Sequence, residues 1–165
     1  MAVERLDSDL ETLAADARPE ERDLSLPPHS PQAEEAVLGS ILKYPPSIER
    51  VAFLKPEDFY EMRNRHVFRA MRTLSADGKP IDYHTVGDTL FQLGVHEAAG
   101  GMLYLSEVNL ATPSAAYILE YGRIVERTSI MRQLIAKAQT IAEIAYRDNL
   151  TPEIALEKAE QLIYS

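Results

Sequence analysis

Hydrophobic residues recur along most of the chain at spacings of three and four, which is the period of an α-helix. The first clear case follows Ser30-Pro31, an N-cap with proline at the first helical position. It carries one apolar face formed by Val37, Leu38, Ile41 and Leu42. Almost nothing alternates with period two, so we expect no sheet. The pattern therefore predicts an all-α fold.

Proline, glycine and capping residues divide this pattern into further helices. Asp82 is placed to cap one helix, and Gly94 to close it. Gly100-Gly101 predicts a tight turn with positive φ before the next helix, which ends at Thr112-Pro113. Residues 114–147 contain no proline and one glycine, Gly122, so they suit one long helix.

Three segments follow from these patterns. Residues 1–25 are acidic and poor in large apolar side chains, so we predict a disordered acidic tail; a partner-binding role is the alternative. Residues 26–113 are expected to form a compact, multi-helix globular head. Residues 114–165 are expected to form a long antiparallel helical hairpin, because Asp148-Asn149 makes a turn and Thr151-Pro152 opens a last helix.

The long predicted helix has a wide apolar surface. A heptad seam suited to the last helix comprises Met131, Leu134, Ala138, Ile141 and Ala145. Its flanks add Ile130, Ile135, Ala142 and Ile144. Together these positions cover about half the circumference, whereas one core-facing stripe needs about 100°. The hairpin therefore either folds back on the head or meets a second copy or another protein, and periodicity leaves both open.

The charge and composition exclude several classes of protein. The chain has 17 basic and 26 acidic residues, a net charge of −9, which a phosphate backbone would repel. We therefore expect no direct nucleic-acid binding. No apolar run is long enough to span a membrane, and the amino terminus does not resemble a signal peptide. The absence of cysteine fits a reducing cytoplasm.

Catalytic patterns are missing. The sequence has no GxxxxGK[ST] nucleotide loop, no GxGxxG and no HExxH. Its four histidines lack metal-ligand spacing, and Glu57-Asp58 suits a helix start better than a catalytic carboxylate pair. We predict no catalytic, cofactor-binding or metal site in these residues.

Ordered short motifs cover about 140 residues and carry a family resemblance. They include Pro27-Pro28-His29-Ser30, Asp58-Phe59-Tyr60, His66-Val67-Phe68, Gly78-Lys79-Pro80-Ile81-Asp82, Gly100-Gly101-Met102-Leu103-Tyr104-Leu105 and Thr112-Pro113-Ser114-Ala115-Ala116. In these residues the chain resembles the amino-terminal domain of DnaB-type replicative DNA helicases. It departs at Asn64, where the family often has histidine, and at Tyr117, where asparagine is usual.

The resemblance implies an assembly and docking domain. In such helicases the hairpins pair two subunits, and three pairs close a collar on a hexameric ring. The collar receives the helicase-binding domain of primase and, in some lineages, a loader. A linker then joins it to a RecA-like ATPase that uses ATP and Mg²⁺ and moves 5′ to 3′ on DNA. We expect that motor to be absent from these 165 residues, so this segment is not an enzyme.

The resemblance also suggests where contacts lie. For the dimer interface we predict Met131, Leu134, Ala138, Ile141, Ile154 and Leu162. For primase binding we predict Tyr104, Ile135 and Ile141, with head-to-hairpin packing as the alternative for Tyr104. The rival functions are a helical adaptor, such as the helicase-binding domain of primase itself, a small DNA-binding domain, and a stand-alone enzyme.

Overall fold

The computed structural model describes residues 26–147 and 149–164, and every regular element in these two ranges is helical. The predicted all-α class is therefore confirmed. Two short 3₁₀ helices, Pro45–Val51 and Pro56–Asp58, accompany six α-helices. In chain order these are α1 (Pro31–Lys43), α2 (Met62–Ala76), α3 (Tyr83–Gln92), α4 (Gly101–Ala111), α5 (Ile118–Ala145) and α6 (Pro152–Tyr164). The predicted acidic tail, residues 1–25, lies outside the described residues.

The predicted helix caps and the predicted glycine turn are present in the structure. The Ser30 hydroxyl accepts the backbone N–H of Ala33 at 3.3 Å and caps α1. The Asp82 carboxylate accepts the N–H groups of His84 and Thr85 at 2.8 and 2.9 Å and caps α3. The turn before α4 has φ values of 84° at Gly100 and 62° at Gly101, a conformation that side chains with a Cβ rarely adopt.

Helix α1 lies at the centre of the head and packs most extensively against α4 and α5. Its apolar face, Val37, Leu38 and Ile41, is wholly buried. The same core contains Ile118 and Val125 from the first half of α5. The packing of the head therefore continues past residue 113, where the sequence places the end of the head.

Close helix packing depends on glycine at two positions. A Cβ at Gly39 would lie 2.0 Å from the Thr112 hydroxyl oxygen and 2.6 Å from the carbonyl oxygen of Val108. At Gly122 it would lie 2.7 Å from a methyl carbon of Val51. The sequence shows only a helix-propensity penalty at Gly122, whereas the structure shows that glycine there lets α5 approach the first 3₁₀ helix.

The second half of α5 and the whole of α6 form a helical hairpin, which we call the arm (residues 130–145 and 152–164). Helix α6 packs chiefly against α5. Ile144, predicted on the flank of the seam, is instead buried where α5 faces Lys158 and Leu162 of α6. Ala145 lies nearer the start of α6, beside Ala155, so the two helices are antiparallel as predicted.

We expect Gly39→Ala to lower the free energy of unfolding by about 2 kcal/mol, because overpacking against backbone outweighs the gain of up to ~1 kcal/mol in helix propensity. Urea denaturation followed by circular dichroism would measure the change. Gly87→Ala is the matched control, since its Cβ would meet only the flexible sulfur end of Met102. Equal stabilities of the two variants would contradict the packing argument.

Candidate protein-interaction surface

A buried carboxylate joins α1 to the start of α2. Glu34 is fully buried, and its oxygens accept the backbone N–H groups of Tyr60 at 2.6 Å and Glu61 at 3.2 Å. They also accept the side-chain amide of Asn64 at 2.9 Å. Tyr60 and Glu61 directly precede α2, so Glu34 fixes the chain at the point where that helix begins. The sequence suggests only a favourable charge at the start of α1.

A second set of polar contacts fixes α5 to the same region. The Arg132 guanidinium donates to the carbonyl oxygen of Pro28 at 2.7 Å and to that of Asp58. The Ser129 hydroxyl donates to the Asp58 carboxylate at 2.7 Å. Burial lowers the pKa of the Arg132 guanidinium, and the charge of Glu34 opposes that shift. These contacts set the direction in which the arm leaves the head.

The chain preceding α1 is held beside the arm. The His29 ring stacks on Tyr60 with centroids 4.4 Å apart, and the Arg132 guanidinium lies 5.6 Å from the Tyr60 ring. The His29 ring nitrogen Nδ1 lies 2.7 Å from the Pro27 carbonyl oxygen. The sequence alone indicates no role for His29, because its aromatic partner Tyr60 lies 31 positions further along the chain.

Tyr104 does not lie on a free surface. Only 4% of it is exposed, its hydroxyl donates to the Asn64 side-chain oxygen, and the Arg63 guanidinium lies 4.2 Å above its ring. Burial raises the pKa of its phenol. Tyr104 therefore packs α4 against α2. Its side chain is not exposed for the predicted primase contact, and the contacts it makes are with α2 rather than with the arm.

The arm presents an apolar stripe to solvent, which we call the arm stripe: Met131, Leu134, Ile135, Ala138 and Ala142. All five side chains are exposed, and 60% of Leu134 is accessible. Pro28 meets the head end of the stripe and helps to line a groove of about 570 Å³. The other residues of this groove are Arg127, Thr128, Met131, Leu134 and Ile135.

The remaining predicted interface residues lie around the hairpin. Ile154 is 43% exposed, whereas Ile141 and Leu162 are half-buried between the two helices. Ile141 lines a further groove of about 440 Å³ with Ala155 and Ala159. The structure thus brings Met131, Leu134 and Ile135 together on one surface. Ile141 and Leu162 instead contribute to the packing between the two helices of the hairpin.

Other classes of site find no support in the part of the chain that the structure describes. Across residues 26–147 and 149–164 there is no group of three His, Asp or Glu side chains arranged to hold a metal ion. No helix in those ranges is long and apolar enough to cross a membrane. The exposed apolar surface of the arm is the feature that requires an explanation.

A family model described as the DnaB-like helicase N-terminal domain matches residues 26–127. The chain is 39% identical over 139 residues to the replicative DNA helicase DnaC of Bacillus subtilis, and 37% identical over 139 residues to the replicative DNA helicase DnaB of Geobacillus stearothermophilus. Each match covers 84% of this chain but 31% of the relative. The chain therefore spans under a third of the length of these helicases.

Two solved structures are similar in fold. The N-terminal domain of DnaB helicase from Mycobacterium tuberculosis superimposes with a TM-score of 0.80 and 29% identity, covering 84% of this chain and 99% of that one. A DnaB-like replicative helicase, described with its interactions with primase, gives a TM-score of 0.68 and 25% identity. That match covers 82% of this chain and 31% of the helicase.

We expect Glu34→Gln to reduce the free energy of unfolding by about 2–3 kcal/mol, because the amide turns donors toward buried N–H groups that need acceptors. Glu35→Gln is the matched control: Glu35 is partly exposed, forms a 3.2 Å ion pair with Arg63, and should cost under about 1 kcal/mol. Denaturant titration compares the two. A Glu34→Gln protein as stable as the control would show that the buried carboxylate is not needed.

Proposed function

Because this chain belongs to the DnaB-like helicase N-terminal domain family, we propose that it is the assembly and primase-docking domain of a hexameric replicative DNA helicase. The single observation that supports this role most directly is the arm stripe. An apolar surface of this extent, supported on a hairpin that stands away from the head core, is typical of a protein-protein interface.

The proposal extends to the whole helicase. Paired arms join two subunits, and three pairs form a collar at one end of the ring. The motor is a separate RecA-like domain that hydrolyses ATP with Mg²⁺ and moves 5′ to 3′ on DNA in the cytoplasm. The present residues contain no nucleotide loop and carry a net charge of −9, so their contribution is to assembly and docking, with DNA held by other parts of the ring.

Self-pairing is supported by where the arm stripe lies. Its five residues are exposed on the folded arm, so a second arm can cover them without unfolding either helix. Ile154 on α6 is a further exposed apolar residue of the hairpin. A twofold contact uses the same patch on both subunits, which matches a single continuous stripe on each copy.

Primase docking is supported by the similar helicase whose structure is described with its primase interactions. On this chain Ile135 is the most suitable contact among the three residues predicted from sequence, since it is 43% exposed at the groove beside Pro28. Ile141 contributes a smaller, half-buried surface. Tyr104 is not a primase contact in this proposal, because its side chain is buried between α2 and α4.

We expect Leu134→Asp to weaken self-association by roughly thirtyfold, because a charge at the centre of an apolar contact removes about 2 kcal/mol. Sedimentation over a concentration series would measure the dissociation constant. Ala136→Asp adds the same charge at another exposed position of α5, outside the stripe, and should associate like the unmodified chain. Equal association constants for both variants would place the interface elsewhere.

We expect Ile135→Asp to weaken binding of the helicase-binding domain of the cognate primase about tenfold, because that residue lines the groove. Titration calorimetry measures the affinity, with circular dichroism confirming that the variant is folded. Sedimentation identifies the oligomer present in each titration, which separates lost docking from lost assembly. A folded variant with unchanged primase affinity would contradict the assignment of Ile135.

A further inference from the structure

Two consecutive prolines precede α1, and side chains hold their backbone. Pro27 and Pro28 have no backbone N–H, so each can form a backbone hydrogen bond only through its carbonyl oxygen. The Pro27 carbonyl oxygen lies 2.7 Å from the His29 ring nitrogen Nδ1, which is the donor because a carbonyl oxygen only accepts. The Pro28 carbonyl oxygen accepts from the Arg132 guanidinium at 2.7 Å. Both carbonyl groups of the pair are therefore engaged.

These two contacts fix the orientation of the Pro28 ring. The ring locks the φ torsion of Pro28, which leaves ψ as its one soft backbone torsion. The peptide plane before Pro28 is held by His29, and the plane after it is held by Arg132. Rotation about ψ would break one of the two bonds. With the Pro28 carbonyl group bound to α5, His29 therefore determines which way the Pro28 ring faces.

His29 is itself attached to the head. Its ring stacks on Tyr60 with centroids 4.4 Å apart and an angle of 27° between the planes. The backbone N–H of Tyr60 donates to the buried Glu34 carboxylate at 2.6 Å. The position of the Pro28 ring thus depends on His29, that of His29 on Tyr60, and that of Tyr60 on the buried carboxylate.

The Pro28 ring forms one wall of the groove at the head end of the arm stripe. Among the described residues that line this groove, Pro28 is the one that does not belong to α5. A single helix presents a convex surface, whereas binding sites are concave. Pro28 therefore supplies the second wall that turns the surface of α5 into a groove of about 570 Å³.

The lining of the groove fits the apolar side of a partner helix that also carries an acidic residue. Met131, Leu134 and Ile135 offer an apolar floor. Among the described lining residues Arg127 alone is charged, and it is exposed, so a carboxylate of the partner can pair with it. The arm stripe of a second copy contains no acidic residue. The charge at this end of the stripe therefore favours a different protein as the occupant.

We propose that His29 is a positioning residue for docking of this partner: it holds the Pro28 ring as the second wall, so the groove is formed before the partner binds. The identity of the partner rests on the proposed function, which assigns primase to this groove. A preformed groove increases affinity, because binding does not have to order the segment that contains Pro28. The Pro27-Pro28-His29 motif thereby gains a role in docking.

His29→Ala in the full chain tests the proposal. We expect it to weaken binding of the helicase-binding domain of the cognate primase about fivefold, because the groove is then formed in only a fraction of the molecules. Titration calorimetry measures the affinity, and circular dichroism checks that the variant is folded. His84→Ala is the matched control, since it removes an exposed histidine in the first turn of α3 and should bind primase like the unmodified chain.

A double-mutant cycle with Pro28→Ala separates positioning from a general effect on the fold. Pro28→Ala alone should also weaken primase binding about fivefold, because it removes the ring that forms the wall. If His29 acts through Pro28, the double variant is again weakened about fivefold, whereas independent effects multiply to about twenty-five-fold. A purely structural role of His29 produces no such coupling in primase affinity.

Several results would overturn the proposal. Unchanged primase affinity of folded His29→Ala, where Ile135→Asp weakens binding, would refute the positioning role and leave the proposed function intact. Unchanged affinity in both variants would refute both. Full affinity of Pro28→Ala would show that the groove needs no second wall, and multiplied effects in the double variant would show that His29 acts independently of Pro28. Weaker self-association of His29→Ala in sedimentation, with primase affinity unchanged, would identify a second copy as the occupant.

Discussion

The buried Glu34 carboxylate is the constraint on which the rest of the structure depends. Removing a charge from water costs several kcal/mol unless hydrogen bonds replace its hydration, and Glu34 receives three, from Tyr60, Glu61 and Asn64. These bonds fix the chain segment just before α2. The same segment offers the Asp58 carbonyl to Arg132 and the Asp58 carboxylate to Ser129, so the position of α5 follows from that of Glu34.

This arrangement separates the energetics of the arm from those of the head. Directional hydrogen bonds at the base of the arm set its angle without using its apolar side chains, and Ile144 with its neighbours on α6 closes the hairpin. The arm stripe is then left available for another partner. Substitutions at the polar contacts should therefore act on folding, whereas substitutions on the stripe should act on association, because the two sets share no side chain.

The sequence predicts the features that depend on near neighbours. Ser30, Asp82 and Gly100 act within three residues of themselves, so their roles are visible in the chain. Glu34 and Tyr104 are different, because their positions are decided by Asn64, thirty and forty residues away. A glutamate in the first turn of a helix ordinarily indicates only a favourable charge, and a tyrosine in a helix gives no sign of which side it faces. The sequence likewise does not show that Ile135 is exposed and Ile144 is buried, since this depends on which side of α5 packs against α6.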